Sequence, residues 1–142
     1  METDSVKIDF YFDTPMASVW KAWTDPAIMI QWFGSEPEGV GLHAEADARP
    51  GKTFTVTFRD TNGTEHTCFG TYIAVIEPVE LTFTWCWKNE PDVTSMVSLQ
   101  FEEQDGGTLM HFEHIDVGTE SAHDYLAGWT STFYKLQKVV EA

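Results

Sequence analysis

Five consecutive residues, Met110-His111-Phe112-Glu113-His114, carry most of the chemistry legible in this chain. Their alternation places Met110, Phe112 and His114 on one face of a strand and His111 with Glu113 on the other. With Met110 and Phe112 directed inward, His114 enters an apolar interior near the strand's end. An imidazole titrates near neutral pH, so there it can orient a ligand or act as an acid or base. It can also be an inward histidine that hydrogen-bonds its surroundings as part of the structure, and that use is preferred. His114 is the single catalytic candidate, with Tyr125 as its assistant.

Other chemistries find less footing. His111 with Glu113, and His43, Glu45 and Asp47 on another strand face, offer mixed nitrogen and oxygen donors. Alternating polar residues are also what a solvated outer sheet face looks like, and no HExxH or paired cysteines accompany them, so no metal and no cofactor is expected. Cys68 and Cys86 lack CxxC spacing. They face each other across neighbouring strands if the Glu77-Pro78 turn sets that register, and part to opposite faces after a one-residue slip. Two buried free thiols acting as small hydrophobes is the preferred reading. Neither GxSxG nor a phosphate-binding glycine loop occurs. Glu36-Pro37-Glu38 and Glu102-Glu103 read as solvated surface charge.

The apolar side chains suggest a container. Phe54, Val56, Phe58, Phe83, Trp85, Met110, Phe112, Trp129 and Phe133, with His114, are candidates for the wall of a cavity with a few polar groups. The same residues can instead fill their own core. A gap between Trp129 and Phe112 is where the cavity is expected, and a fully packed space there would sink the carrier reading.

Composition narrows the classes. With 42% hydrophobic residues, 10 Phe, 6 Trp and 4 Tyr in 142 residues, the chain folds as a globular domain. One domain over residues 1–142 is expected. The 23 Asp and Glu against 8 Lys and Arg give a net charge of −15, which repels nucleic acid and anionic lipid and favours neutral or cationic partners. The acidic start carries no signal sequence, no apolar run reaches the ~18 residues of a membrane span, and two cysteines make no disulfide scaffold, so a soluble cytoplasmic protein is expected.

The elements that position these residues follow from periodicity. Val6, Ile8, Phe10 and Phe12 alternate with polar partners as a half-buried strand. Thr14-Pro15 reads as N-cap and first helical residue, followed by Met16, Val19, Trp20 and Trp23 on one helical face. Asp25-Pro26 repeats the signal for a second short helix, which Gly34 ends. Trp20, Trp23 and Trp32 could rim a cavity entrance, but packing that anchors the two helices is preferred.

From Gly39 to Asp116 strand signals dominate. Asn62-Gly63, Glu77-Pro78, the Lys88–Asp92 loop and Asp105-Gly106-Gly107 are the turns of a meander of five or six antiparallel strands. Ala122, Tyr125, Leu126, Trp129, Phe133, Leu136 and Val140 form one apolar stripe along a C-terminal helix, with Gly128 inside it. A glycine there suits close approach of backbone or ligand. Only that helix is long enough to cover the sheet, so an α+β helix-grip arrangement is expected, a curved antiparallel sheet wrapped around it.

The punctuation resembles a known family. Phe12-Asp13-Thr14-Pro15, Val19-Trp20-Lys21-Ala22-Trp23-Thr24-Asp25-Pro26, Trp32-Phe33-Gly34, Gly51-Lys52-Thr53-Phe54, Leu81-Thr82-Phe83-Thr84-Trp85, Gly107-Thr108, His114 and Gly128-Trp129 carry it. Together they look like the Aha-type branch (activator of heat-shock protein 90 ATPase homologue) of the START-like, SRPBCC or Bet v-like superfamily, over residues 6 to about 140. The resemblance implies a helix-grip fold with an internal, mostly apolar cavity. Its superfamily holds lipid and hormone carriers, cyclases and aromatases, and small bacterial proteins of unknown role. In the eukaryotic activators a domain like this follows a separate N-terminal domain in a longer chain.

Three functions stand as expectations. The leading one is a carrier that binds a small apolar ligand between sheet and C-terminal helix. The second is a protein-binding module whose partner is a chaperone, using the outer sheet face or acidic loops. The third is a cyclase-like enzyme using His114. A homodimer stays open.

Overall fold

The computed structural model describes residues 5–34, 36–115 and 125–141. In chain order they form β1 (Ser5–Phe12), α1 (Met16–Thr24), α2 (Pro26–Trp32), β2 (Val40–Ala46), β3 (Thr53–Arg59), β4 (Glu65–Ile76), β5 (Glu80–Trp87), β6 (Glu90–Gln104), β7 (Gly107–Ile115) and α3 (Tyr125–Val140). The seven strands make one antiparallel sheet in the order β1-β7-β6-β5-β4-β3-β2. The chain therefore returns to β1 at the end of its meander. The α+β architecture expected from the element order is present, with six strands after the short helices.

Two local expectations change. Thr14 does not cap α1: Pro15 is the N-cap residue, with no side-chain cap bond. Thr14 is instead buried, and its carbonyl accepts from the Thr108 hydroxyl at 2.8 Å, latching the end of β1 to the start of β7. The Lys88–Asp92 loop is shorter than expected because β6 begins at Glu90, immediately after the Lys88-Asn89 turn. Asp116 and Ala122, expected at the ends of β7 and α3, lie outside the described residues.

Asp25 behaves as its Asp-Pro context predicts. Its N–H donates to the Lys21 carbonyl at 2.8 Å, closing α1. Its carboxylate accepts from the Ala27 N–H at 2.9 Å, opening α2 with Pro26 in the first turn. The Trp32 indole donates to the Ala22 carbonyl at 3.0 Å, so the two helices are pinned as one corner. Trp20, Trp23 and Trp32 are all buried in that packing.

Strand parity builds the core. Phe54, Val56 and Phe58 of β3, Leu81, Phe83, Trp85 and Trp87 of β5, and Thr108, Met110, Phe112 and His114 of β7 are all buried. Register shifts in β2, β4 and β5 interrupt the ladders and bend the strands around the helix. α3 lays Trp129, Phe133 and Leu136 onto the sheet. Phe133 packs against Phe112 at 5.0 Å, Phe10 at 5.9 Å and Trp23 at 6.1 Å between ring centroids.

Candidate functional site

His114 is fully buried and carries hydrogen bonds on both ring nitrogens. The Trp129 indole N–H can only donate, and it lies 2.9 Å from Nδ1. Nδ1 is therefore the acceptor, and the proton of the neutral ring sits on Nε2. That proton is donated to Ser95 Oγ at 2.6 Å, and the Ser95 hydroxyl donates onward to the Trp85 carbonyl at 3.3 Å. Burial alone pushes the imidazole's pKa down to about 3, so at neutral pH it is uncharged. A relay thus fixes α3 to β7, β6 and β5 through one histidine.

Beside this relay lies a cavity of about 490 Å³ between β3–β5, the Phe33-Gly34 corner and the N-terminal half of α3. Phe58 of β3, Trp85 and Trp87 of β5, Phe33, and Tyr125 and Trp129 of α3 supply its aromatic wall. On the helix, Gly128 presents bare backbone and Thr132 a small side chain. His66 enters from β4 because the tight turn at residues 60–64 pairs it with Phe58, and Gly63 takes the positive φ (91°) that turn requires.

The polar groups of the wall are few. His66 Nε2 and Asp60 Oδ2 are 2.7 Å apart and partly buried. The Trp87 indole donates to the Tyr125 hydroxyl at 2.8 Å. The Thr132 hydroxyl lies 2.7 Å from the Gly128 carbonyl and 3.1 Å from that of Gly34. Lys135 donates to the carbonyls of Gly34 and Glu36 at 3.3 and 3.0 Å, closing the corner from outside the lining. Its burial lowers the ammonium's pKa, against the pull of Asp60 and Glu36. Hydrogen bonds from the Thr61 N–H and hydroxyl hold the Glu36 carboxyl below its ordinary value. The indole nitrogens of Trp85 and Trp23 are buried with no acceptor among the described residues.

Three of the ten side chains predicted to line a cavity do so: Phe58, Trp85 and Trp129. Phe54, Val56, Phe83, Met110, Phe112, His114 and Phe133 are packed into the core instead. The gap expected between Trp129 and Phe112 is filled, with ring centroids 4.8 Å apart, so the carrier cavity as expected at that place is overturned. Strand alternation shows which face is inward, not where along that face the covering helix leaves room. Phe133 closes the β1–β7 side, and the space falls on the opposite side of Trp129.

The wall also includes Phe33, Gly34, Asp60, His66, Trp87, Gly128 and Thr132, which were not predicted to line it, and Tyr125, considered only as an assistant to His114. Trp87 was within reach, since it continues the Leu81-Phe83-Trp85 alternation, and so was Gly128, as a glycine inside an apolar stripe. His66 follows from carrying the Phe58 parity across the Asn62-Gly63 turn. Nothing distinguishes Asp60 from any other turn aspartate.

The remaining candidates sit away from the cavity. His111 bridges Asp9 at 2.9 Å and Glu102 at 3.2 Å on the outer face, and both carboxylates raise its pKa. His43 approaches Glu45 at 3.3 Å in the open. Cys68 pairs with Trp87 and Cys86 with Phe69, so the slipped register applies and the two thiols part to opposite faces. Both are buried thiols outside any disulfide, the Cys86 thiol lies 3.7 Å from the Trp87 and Glu90 carbonyls, and burial raises both pKa values.

The sequence model of the family described as "Activator of Hsp90 ATPase homolog 1-like protein" matches residues 13–141. This chain belongs to that family. Similar solved structures include a protein from Chromobacterium violaceum, with TM-score 0.85 and 20% identity, covering 98% of this chain and 99% of the other. The AHSA1-like protein from Aeromonas hydrophila has TM-score 0.81 and 20% identity, over 97% and 92%. CalU16 from Micromonospora echinospora has TM-score 0.72 and 26% identity, over 98% and 77%. No curated protein matches the sequence. The likenesses at 20% identity establish that this AHSA1-like chain shares the fold; its cavity chemistry rests on its own side chains.

Proposed function

We propose that this protein binds a small hydrophobic molecule in the cavity between β3–β5 and α3. The observation that carries the reading is an aromatic-walled space of about 490 Å³ in a core that is otherwise filled by ring contacts. The space is half open to the surface, and its volume falls within the size range of small-ligand sites. The proposed setting is the cytoplasm, where two thiols outside any disulfide suit a reducing environment.

Native mass spectrometry of protein purified from its own host, followed by denaturing extraction, tests the reading. A co-purifying apolar molecule of a few hundred daltons is expected, and Gly128→Leu, which places a side chain at the cavity wall, is expected to lose it. A bare 16.1 kDa chain from repeated preparations, with no uptake of added hydrophobic probes, would overturn it.

A second reading is a protein-docking module, as the family's description suggests. It is favoured by Ile73, Ile76 and Val79, which stay 51%, 56% and 47% exposed at the end of β4 and its turn. Its discriminating observation is salt-sensitive capture of an Hsp90-type chaperone, and no complex at low salt would sink it. The cyclase-like alternative has less support, because both nitrogens of His114 are engaged in the relay.

A further inference from the structure

Six aromatic residues wall the cavity, Phe33, Phe58, Trp85, Trp87, Tyr125 and Trp129, and one carboxylate, Asp60, stands among them. Neighbouring rings meet steeply: Phe58 and Trp87 at 72°, Trp85 and Trp87 at 86°, Trp85 and Trp129 at 61°. Rings set at such angles bound a space from several sides. An ammonium placed among them is drawn to their π-electrons, to tryptophan most strongly, and the attraction grows as water is excluded.

Asp60 supplies the counter-charge. Its Oδ2 meets His66 Nε2 at 2.7 Å, and the His66 ring packs on Phe58 and Trp87 with centroids 5.4 and 6.0 Å apart. The carboxylate is thereby held beside two rings of the wall. Its Oδ1 takes no hydrogen bond among the described residues, and the side chain keeps 17% of its surface accessible. Lys135 brings an ammonium to the same edge, where it donates to the Gly34 and Glu36 carbonyls and feels the pull of both Asp60 and Glu36. With Glu36 and Asp60 against Lys135, carboxylates outnumber the ammonium there by two to one, and the chain as a whole carries a net charge of −15. That field favours an entering cation over an anion.

We propose that the occupant is a lipophilic organic cation, an alkylammonium or protonated tertiary amine, whose charge sits between Asp60 and the rings of Phe58 and Trp87 while its apolar body lies against Trp85 and Trp129. The inference rests on the ligand-binding reading above and adds the ligand's charge.

Three probes that share a benzyl group and a tetrahedral head test it by tryptophan-fluorescence titration: benzyltrimethylammonium, dimethyl benzyl carbinol and phenylmethanesulfonate. The cation is expected to bind at least ~10-fold more tightly than the alcohol, and the sulfonate most weakly. In Asp60→Asn, which keeps the side chain's size and removes its charge, the preference of cation over alcohol is expected to fall at least ~3-fold. Glu103→Gln, which removes an exposed charge at the end of β6 and outside the lining, is expected to leave it unchanged. Should Asp60→Asn not fold, the wild-type indole N–H resonances serve. The cation is expected to move those of Trp85, Trp87 and Trp129 and to leave those of Trp20 and Trp32 in place. Equal binding of cation and alcohol, an Asp60→Asn variant with its preference intact, or unmoved wall indoles in the cation complex overturns the cationic class while leaving the cavity reading intact. Sulfonate binding tighter than the cation overturns the class as well. Failure of all three to bind overturns both.

Discussion

His114 shows how burial turns a candidate acid or base into a strut. Its ring accepts from Trp129 and donates to Ser95, so its value to the fold lies in being neutral. Because burial depresses its pKa from 6.5 to about 3, the unfolded chain takes up a proton at a pH where the folded chain does not. The stability attached to the neutral ring is fully present above pH ~6.5 and is lost as pH falls towards 3. Over that window it amounts to roughly 5 kcal/mol, at up to ~1.4 kcal/mol per pH unit. His114→Gln keeps an acceptor and a donor but cannot titrate. In urea unfolding, wild type is expected to exceed this variant in stability at pH 7, with the gap narrowing steadily below pH 6.5. A gap constant from pH 7 to 4.5 would show that the ring is not held neutral by the fold.

Among the elements, the α1–α2 corner matters most for the site, because the chain leaving α2 delivers Phe33 and Gly34 to the cavity wall. Asp25 ends one helix and caps the next. Gly41 lets β2 pass against α2: a Cβ there would collide with the Ile30 carbonyl oxygen, and backbone cannot yield as a side-chain tip can. Asp25→Ala is therefore expected to cost about 1 kcal/mol, the usual worth of an N-cap. Gly41→Ala is expected to cost more, since β2 and α2 must part to admit one methyl. Chemical denaturation ranks the two, and a Gly41→Ala variant as stable as wild type would mean that α2 does not press on β2.

For the molecule as a whole, charge opposes what the core achieves. A net charge of −15 on 142 residues makes the compact state repel itself. The described ion pairs that could offset this, such as Lys7–Glu113 at 3.8 Å across β1 and β7 or Arg49–Asp47, lie exposed and are worth little. Raising NaCl from 0.01 to 0.15 M is expected to stabilise the fold by ~1 kcal/mol, about 4 °C in Tm, by shortening the Debye length from about 30 to about 8 Å. A Tm that falls with salt would show that specific ion pairs outweigh the repulsion.

The order of elements, the Asp25-Pro26 helix start, the Asn62-Gly63 hairpin and the inward faces of β3, β5 and β7 were all determined by the sequence. Each depends on residues a few positions apart, through a period of two or 3.6 and through turn residues with restricted backbone choices. Thr14 escaped the same logic: Pro15 stands at the N-cap, and the Thr14 carbonyl accepts from the Thr108 hydroxyl, 94 residues away. The cavity escaped it for a similar reason. Phe54, Phe112 and Trp85 share the same inward parity, yet only Trp85 borders open space. Parity is a property of one strand, whereas a void is what remains after seven strands and a helix have packed. Its place depends on where Phe133 meets Phe112 and Phe10, and that only the tertiary structure could decide.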